Sequence, residues 1–362
     1  MIETKQQLLS LMQRAQTVDA VGVDTEFVWE RTYYPRLGLI QLALSAEECF
    51  LIDPLLIDDL SSFGDLLVNE NVVKIFHDGP GDLAILRQVI GVDPKNIFDT
   101  RLAAGFAGLP SILSLLVLVE KLLDISLNKS QTRTNWLKRP LTAHQMKYGL
   151  EDVRYLRQVR RLLMEAVQPE VTPWLTEELR LLDVAKNYTG LADEQRYIKV
   201  NGGRRLNRRG LAVLRGLALW REEVARYRNK PRGHIIKDEV LVFMAQEQLD
   251  DVAKLHGCEG ISAKSISRYG KELVQVVRKA LEAPEESDPE LLRTARLNRE
   301  EQTDLRRLQA FIGQKCEQLG LDPALLGNKA ELTGFIQQTT ASVRQRGGWR
   351  KEFLAEFSQN RA

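Results

Sequence analysis

Through the first 165 residues the spacing of apolar side chains changes period. Runs at 18–25, 37–44, Cys49–Ile52 and 72–77 are short and rich in β-branched or apolar residues, and predict strands. The first three are joined by short connections carrying Pro35, Gly38 and the polar stretch 45–48, which predicts antiparallel neighbours. From Asp82 onward apolar residues recur every third or fourth position, and helices are predicted over 82–89, 101–107, 112–123 and 142–163. Strands interleaved with and followed by helices predict an α/β domain, a mixed sheet flanked by helices.

Beyond residue 165 the pattern is almost entirely helical, beginning with 173–186 and a turn-rich basic connector over 200–210. Leu211, Leu214, Ala218 and Trp220 mark one buried stripe, and 240–249 and 266–281 supply two further amphipathic helices of a small all-α bundle. An acidic, proline-bearing break at 282–289 then separates a second helical unit over 291–357. The expected organisation is 1–168, a connector 169–207, and helical modules at 208–283 and 284–362.

Composition narrows the class. With 362 residues, 44% hydrophobic and 28% charged, the chain is an ordinary globular protein of two or three domains. The longest apolar stretch, 109–119, is shorter than the roughly 18–20 residues that span a bilayer, and no signal-peptide pattern opens the chain. A cytoplasmic location without membrane contact is expected from this; a monomer is expected as well, though not on grounds of composition. Cys49, Cys258 and Cys316 stand far apart, and His77, His144, His234 and His256 lack zinc-site spacing, so carboxylates are the expected ligands of any metal.

A net charge of +2 conceals an asymmetry: residues 1–170 carry 18 basic and 22 acidic side chains, leaving 33 and 27 for the rest. Between Lys199 and Arg232 eleven basic residues face only Glu222 and Glu223, a local charge of +9. Arg204, Arg205, Arg208, Arg209, Arg228 and Lys230 are candidates for binding nucleic-acid phosphates, where counterion release drives association. The alternative is a solvated face of an arginine-rich helix.

The chemistry is concentrated in the α/β segment. Asp24 and Glu26 lie two apart on a predicted strand and share a face. Asp82 stands where a strand gives way to a helix, and Tyr148 and Asp152 stack four apart on a helix. Taken singly, these are a strand end, a helix N-cap and a polar helix surface. Together, four carboxylates from separate elements of one domain suit two hard divalent cations, about 4 Å apart, at a phosphodiester. With an ordinary pKa near 10, Tyr148 suits orienting water better than abstracting its proton. Lys129, Arg133 and Arg139 offer phosphate partners and Trp136 a stacking ring, although Trp136 also fits a packing role and an arginine a carboxylate pair.

AVGVDTEF with Asp24 and Glu26, FHDGPGDL with Asp82, and YGLED with Tyr148 and Asp152 resemble the three exonuclease motifs of the DEDD superfamily. A tyrosine four residues before the last aspartate resembles its DEDDy branch; the sister branch has a histidine at the position of Lys147. KSQTRTNWLKRPLT, over 129–142, is similar to the KSxxRxxWxxRPLT segment of the ribonuclease D family. LALWREEVARYRNKPRGHIIKDEVLVFMA resembles the start of an HRDC domain, and LGLDPALLGNKAEL and GGWRKEF resemble a second, divergent HRDC-type bundle.

The resemblance implies a ribonuclease H-like fold and a 3′–5′ exoribonuclease that uses two Mg2+ or Mn2+ ions. It implies trimming of 3′ trailers from precursor transfer RNAs and other small structured RNAs, with release of 5′-mononucleotides. Asp24, Glu26 and Asp152 would hold the ion beside the attacking water, Asp24 would bridge to a second ion supported by Asp82, and Tyr148 would orient the water. His77 joins the substrate-contacting candidates. In family members a glycine usually stands where this chain has Asp124. Two alternatives stay open: a 3′–5′ exonuclease directed at DNA, and an RNA-binding scaffold without activity.

Overall fold

A computed structural model describes residues 1–127, 134–292, 296–339 and 342–359. The chain forms two compact units. One comprises Met1–Val28, Leu37–Thr189 and Leu297–Ala362; the other comprises Trp29–Arg36 and Gly190–Arg296.

The first unit is built on five strands: β1 (Ala20–Val28), β2 (Arg36–Ala43), β3 (Cys49–Ile52), β4 (Val73–Phe76) and β5 (Ile97–Asp99), in the order β3-β2-β1-β4-β5. β1 pairs with β4 in parallel, with Gly22 opposite Ile75, and β4 with β5 likewise; β2 and β3 are antiparallel. The sheet is therefore mixed, as expected. β5 was not anticipated, because three residues are too few to display a period of two. An N-terminal helix, α1 (Lys5–Ala15), was also missed, although Thr4 and Gln7 form a capping box ahead of buried Leu8, Leu11 and Met12.

Alternation along the strands divides the core. Val21, Val23, Ile40 and Leu42 pack with α1, α2 (Ser61–Val68) and α3 (Pro80–Ile90) through Leu8, Phe63 and Leu86. Ala20, Ala43 and Ile75 face the other layer, which includes α4 (Thr100–Phe106), α5 (Leu115–Leu123), α6 (Ala143–Arg154), α7 (Leu156–Ala166) and α8 (Thr172–Arg180). The single helix expected over 142–163 is two helices that meet at Tyr155. α5 begins late because Ser114 caps it, and it ends at Asp124 in a left-handed conformation (φ 57°), which accounts for the usual glycine there.

Three later helices, α13 (Arg299–Leu319), α14 (Lys329–Ile336) and α15 (Gly348–Gln359), add Leu308, Ile312, Trp349 and Phe353 to that same layer. The described residues of this segment thus share the core of the first unit. Glu178 on α8 fixes the join: Arg350 donates to both carboxylate oxygens, the Trp349 indole N–H donates at 2.8 Å, and Arg344 at 3.0 Å.

The second unit is helical, with α9 (Arg208–Tyr227), α10 (Arg232–Ile235), α11 (Asp238–Glu247) and α12 (Ala263–Glu282). The stripe read from the sequence, Leu211, Leu214, Ala218 and Trp220, is buried against Val240, Met244, Leu273 and Val277. Residues 29–36 belong to this unit through Tyr33, whose hydroxyl donates to Glu222 and whose ring lies under Arg226 and Arg232 at 5.7 and 5.0 Å. Asn229 Oδ1 accepts the N–H groups of Tyr33 and Tyr34. Among the described residues no helix is long and apolar enough to cross a membrane.

Candidate active site

β1 delivers Asp24 and Glu26 from alternate positions, so both project from one side of the strand, while buried Thr25 projects from the other. Gly22, two residues earlier, explains how α6 comes close enough to join them. A Cβ at Gly22 would lie 2.9 Å from the Val153 carbonyl, so only glycine admits the last turn of α6 against β1. Asp152, the neighbour of Val153, is thereby brought to Asp24 and Glu26: one ligand oxygen from each of the three lies within 4.8 Å of the others. Nothing in the carboxylate pattern pointed to Gly22, although a glycine within a strand signals close backbone approach.

Asp82 arrives from α3. The helix starts with Pro80 at its first turn and Gly79 as its cap, and Asp82 is buried there rather than serving as the N-cap. Thr25 Oγ1 donates to Asp82 Oδ1. Asp99, at the end of β5, accepts the backbone N–H groups of Gly79 at 2.9 Å and Asp78 at 3.3 Å, and so fixes the turn that leads into α3.

The electrostatics are those of charges crowded without a counter-charge. Burial, followed by the charges of Asp82, Asp152 and Glu26, raises the Asp24 carboxyl well above the usual range. Glu26 is pushed up to about 8 by burial and then by Asp152 and Asp82. Burial likewise raises Asp82 and Asp152 to about 7, against opposing hydrogen bonds from Thr25 and Tyr148. Asp24, Glu26 and Asp152, which resist ionising together, form an all-oxygen donor set that fits a hard divalent cation, and Asp82 adds its charge from outside that set. Tyr148, hydrogen-bonded to Asp152, has its hydroxyl pushed upward by burial and by the charges of Asp152, Glu26 and Asp24.

The remaining candidates separate by contact. Trp136 is buried, with its ring 6.2 Å from that of Tyr148, so it backs the site's tyrosine and does not present a face for stacking. Arg139 is also committed internally: it pairs with Asp53 through both Nε and Nη2, and donates to the carbonyls of Gly38 at 2.6 Å and Trp136 at 2.8 Å. Both therefore stabilise the loop before α6. His77 engages Thr100 Oγ1 at 2.9 Å and the Leu113 carbonyl at 3.1 Å, which uses both ring nitrogens. Lys129 and Arg133 lie outside the described residues.

In the second unit Arg208 donates to the carbonyls of Asp288 and Pro289, and Arg209 to those of Ala280 and Ala283 and to the Asp288 carboxylate. Arg228 lies over the Tyr269 ring at 5.4 Å. Part of the +9 stretch is therefore spent inside its own fold, including Arg226 and Arg232 against Asp193 and Glu222.

Comparison with known proteins agrees with this architecture. A 3′-5′ exonuclease family profile matches residues 1–168 and an HRDC domain profile matches residues 210–277. Ribonuclease D of Desulfotalea psychrophila is 49% identical over 99% of this chain and 97% of its own length. Ribonuclease D of Escherichia coli is 32% identical over 99% and 97% of the two chains. The crystal structure of Escherichia coli RNase D, described as an exoribonuclease involved in structured RNA processing, superposes with a TM-score of 0.87 over 99% of this chain and 97% of that one, at 31% identity. With near full-length matches on both sides, the chain belongs to the ribonuclease D family of 3′–5′ exoribonucleases.

Proposed function

We propose that this exoribonuclease trims the 3′ trailers of precursor transfer RNAs and other small structured RNAs, removing one nucleotide at a time as a 5′-mononucleotide. The observation that carries the reading is the convergence of Asp24, Glu26 and Asp152, with Asp82 acting electrostatically on the first two.

In this reading Asp24, Glu26 and Asp152 would hold one divalent cation, and Asp24 with Asp82 a second, magnesium or manganese. Such ions supply an acidified water and neutralise charge that develops on the phosphodiester. The chain's own groups set the geometry. Thr25 anchors Asp82, and Gly22 permits the approach of Asp152. Tyr148 stays protonated at neutral pH and orients the attacking water through its hydroxyl, braced by Trp136.

The HRDC domain, over 208–283, and the segment 284–362, read as a second and divergent HRDC-type bundle, would contribute affinity for RNA. Arg204, Arg205, Arg228 and Lys230 are the basic residues proposed to meet phosphates, and Lys129 and Arg133 those proposed near the 3′ end. The protein is read as a cytoplasmic monomer.

A time course on 5′-labelled RNA and matching DNA, each with a single-stranded 3′ end, tests this proposal. The expected result is a ladder that shortens from the 3′ end of RNA, requires magnesium or manganese, and is lost with EDTA or in Asp24→Ala. Faster loss of the DNA would make the chain a DNA exonuclease. Intact substrate with retained RNA binding would make it a scaffold.

A further inference from the structure

The first unit also holds a concave feature that the chemistry above does not use. A cavity of about 600 Å3 is bordered by Val73, which opens β4, and Ile97, which opens β5. Asp24 and Glu26 occupy the later half of β1, and Asp82 follows β4. Because β1, β4 and β5 run parallel, the cavity and the carboxylates lie at opposite strand ends, separated by roughly 13 Å of β4.

Its walls are chemically unlike the carboxylate cluster. Arg160 of α7 lies over the Phe98 ring at 5.4 Å, and its Nε is buried with no hydrogen-bond partner among the described residues. The fold leaves this donor unsatisfied. Arg180, exposed at the end of α8, lines the same cavity. Lys95 joins them; its Nζ donates to the Asp183 carbonyl at 2.9 Å, and an ammonium has two further hydrogens to offer. The three cations face Glu70 and Asp183, and one Asp183 oxygen is already taken by the Ile97 N–H at 3.2 Å.

We propose that this cavity binds a phosphodiester of the RNA strand remote from the scissile bond, with Arg160 and Arg180 as fork-shaped donors and Lys95 as a point charge. A guanidinium packed against an aromatic ring has little further freedom to lose on meeting a tetrahedral oxyanion. Separation from the carboxylates by a strand's length means that only a substrate of several nucleotides reaches both places. The inference rests on the RNA-directed reading above for its ligand; the same chemistry would also accept inorganic phosphate or a released mononucleotide.

The test compares wild type, Arg160→Gln, Arg180→Gln and the control Lys351→Gln, all as full-length protein. RNA affinity is measured in EDTA across a salt series, on a stem-loop with a 3′ tail and on a three-nucleotide oligomer. On the stem-loop, each cavity variant should flatten the slope of log affinity against log salt by about 1, while Lys351→Gln leaves it alone. Cleavage of the three-nucleotide oligomer with magnesium should be unchanged in Arg180→Gln, whose exposed position keeps the variant folded even if Arg160→Gln is not. Unchanged stem-loop slopes in Arg180→Gln would overturn the site. Calorimetric binding of inorganic phosphate or AMP that is lost in the cavity variants, with the RNA slopes intact, would overturn its assignment to RNA. A wild type that degrades no RNA yet shows the slope changes would sink the catalytic reading and leave this one standing.

Discussion

Glu178 and Asp24 show two ways of keeping a carboxylate inside the same unit. Around Glu178, burial alone would raise the carboxyl, but Arg350, Trp349 and Arg344 all donate to it and the net shift is downward. Around Asp24 the neighbours are Asp82, Asp152 and Glu26, and burial and charge push the same way, upward. The first arrangement is complete in the folded chain and joins α8 to α15. The second is costly until something positive arrives. Charge satisfied by the fold reads as structure, and charge left crowded by the fold reads as chemistry.

The largest expected effects come from exchanging these behaviours. Asp24→Asn should lower the rate of 3′-end shortening by at least about 10^3-fold, since several kcal/mol of transition-state stabilisation depend on that donor set. The same substitution removes one of the repelling charges, so the melting temperature in EDTA should hold or rise. A fall would show that the cluster is not the source of strain argued here. Glu178→Gln should do the reverse. Urea unfolding should reveal a loss of about 3–5 kcal/mol from a broken buried pair, while the rate per folded molecule stays near wild type.

The difference between these sites also explains what the sequence could tell. Asp24, Glu26, Asp82, Tyr148 and Asp152, the proposed catalytic set, stand out in the sequence because such chemistry needs fixed residue types in motif-length strings. Trp136 and Arg139 sat in an equally recognisable string, yet sequence does not distinguish a ring that stacks on substrate from one that backs Tyr148, nor a phosphate partner from the partner of Asp53. Glu178 was invisible, because its meaning depends on Arg350, 172 positions away. The helices α13 to α15 read correctly as helical from their periodicity. Which core they would complete was not local information, since an apolar stripe does not name its partner.

Crowding of the carboxylates is imposed by packing, and Gly22 is the position at which that is testable. Gly22→Ala places a methyl 2.9 Å from the Val153 carbonyl and should cost about 1–3 kcal/mol in stability as β1 and α6 separate. Displacing Asp152 from Asp24 by a few tenths of an ångström should lower kcat more than it raises KM, because substrate binding elsewhere is untouched. A variant that loses stability but keeps wild-type kcat would show that the approach of α6 matters only for packing.

The smallest effect, and the one that contrasts the two sites most directly, is the pH dependence of stability without metal. Glu26 is raised from an ordinary value near 4.5 to about 8, so between those values the folded chain holds more protons than the unfolded one. Stability contributed by this group is present below the unfolded pKa and declines as pH rises toward 8. Glu178 has the opposite sign. Its folded pKa lies below 4.5, so its contribution is present above that value and is lost as pH falls through the lower, folded one. In EDTA the protein should therefore lose stability on both sides, with an alkaline decline on the order of 1 kcal/mol per pH unit from Glu26 between about pH 5 and 8, to which the raised Asp24, Asp82 and Asp152 add. Glu26→Gln should make only the alkaline limb shallower and Glu178→Gln only the acid limb. Saturating magnesium should abolish or invert the alkaline limb of wild type, because cation binding favours the ionised carboxylates that burial opposes. An alkaline limb unaffected by both Glu26→Gln and magnesium would mean that water or backbone dipoles already relieve the crowding, and the contrast between the two buried carboxylate sites would collapse.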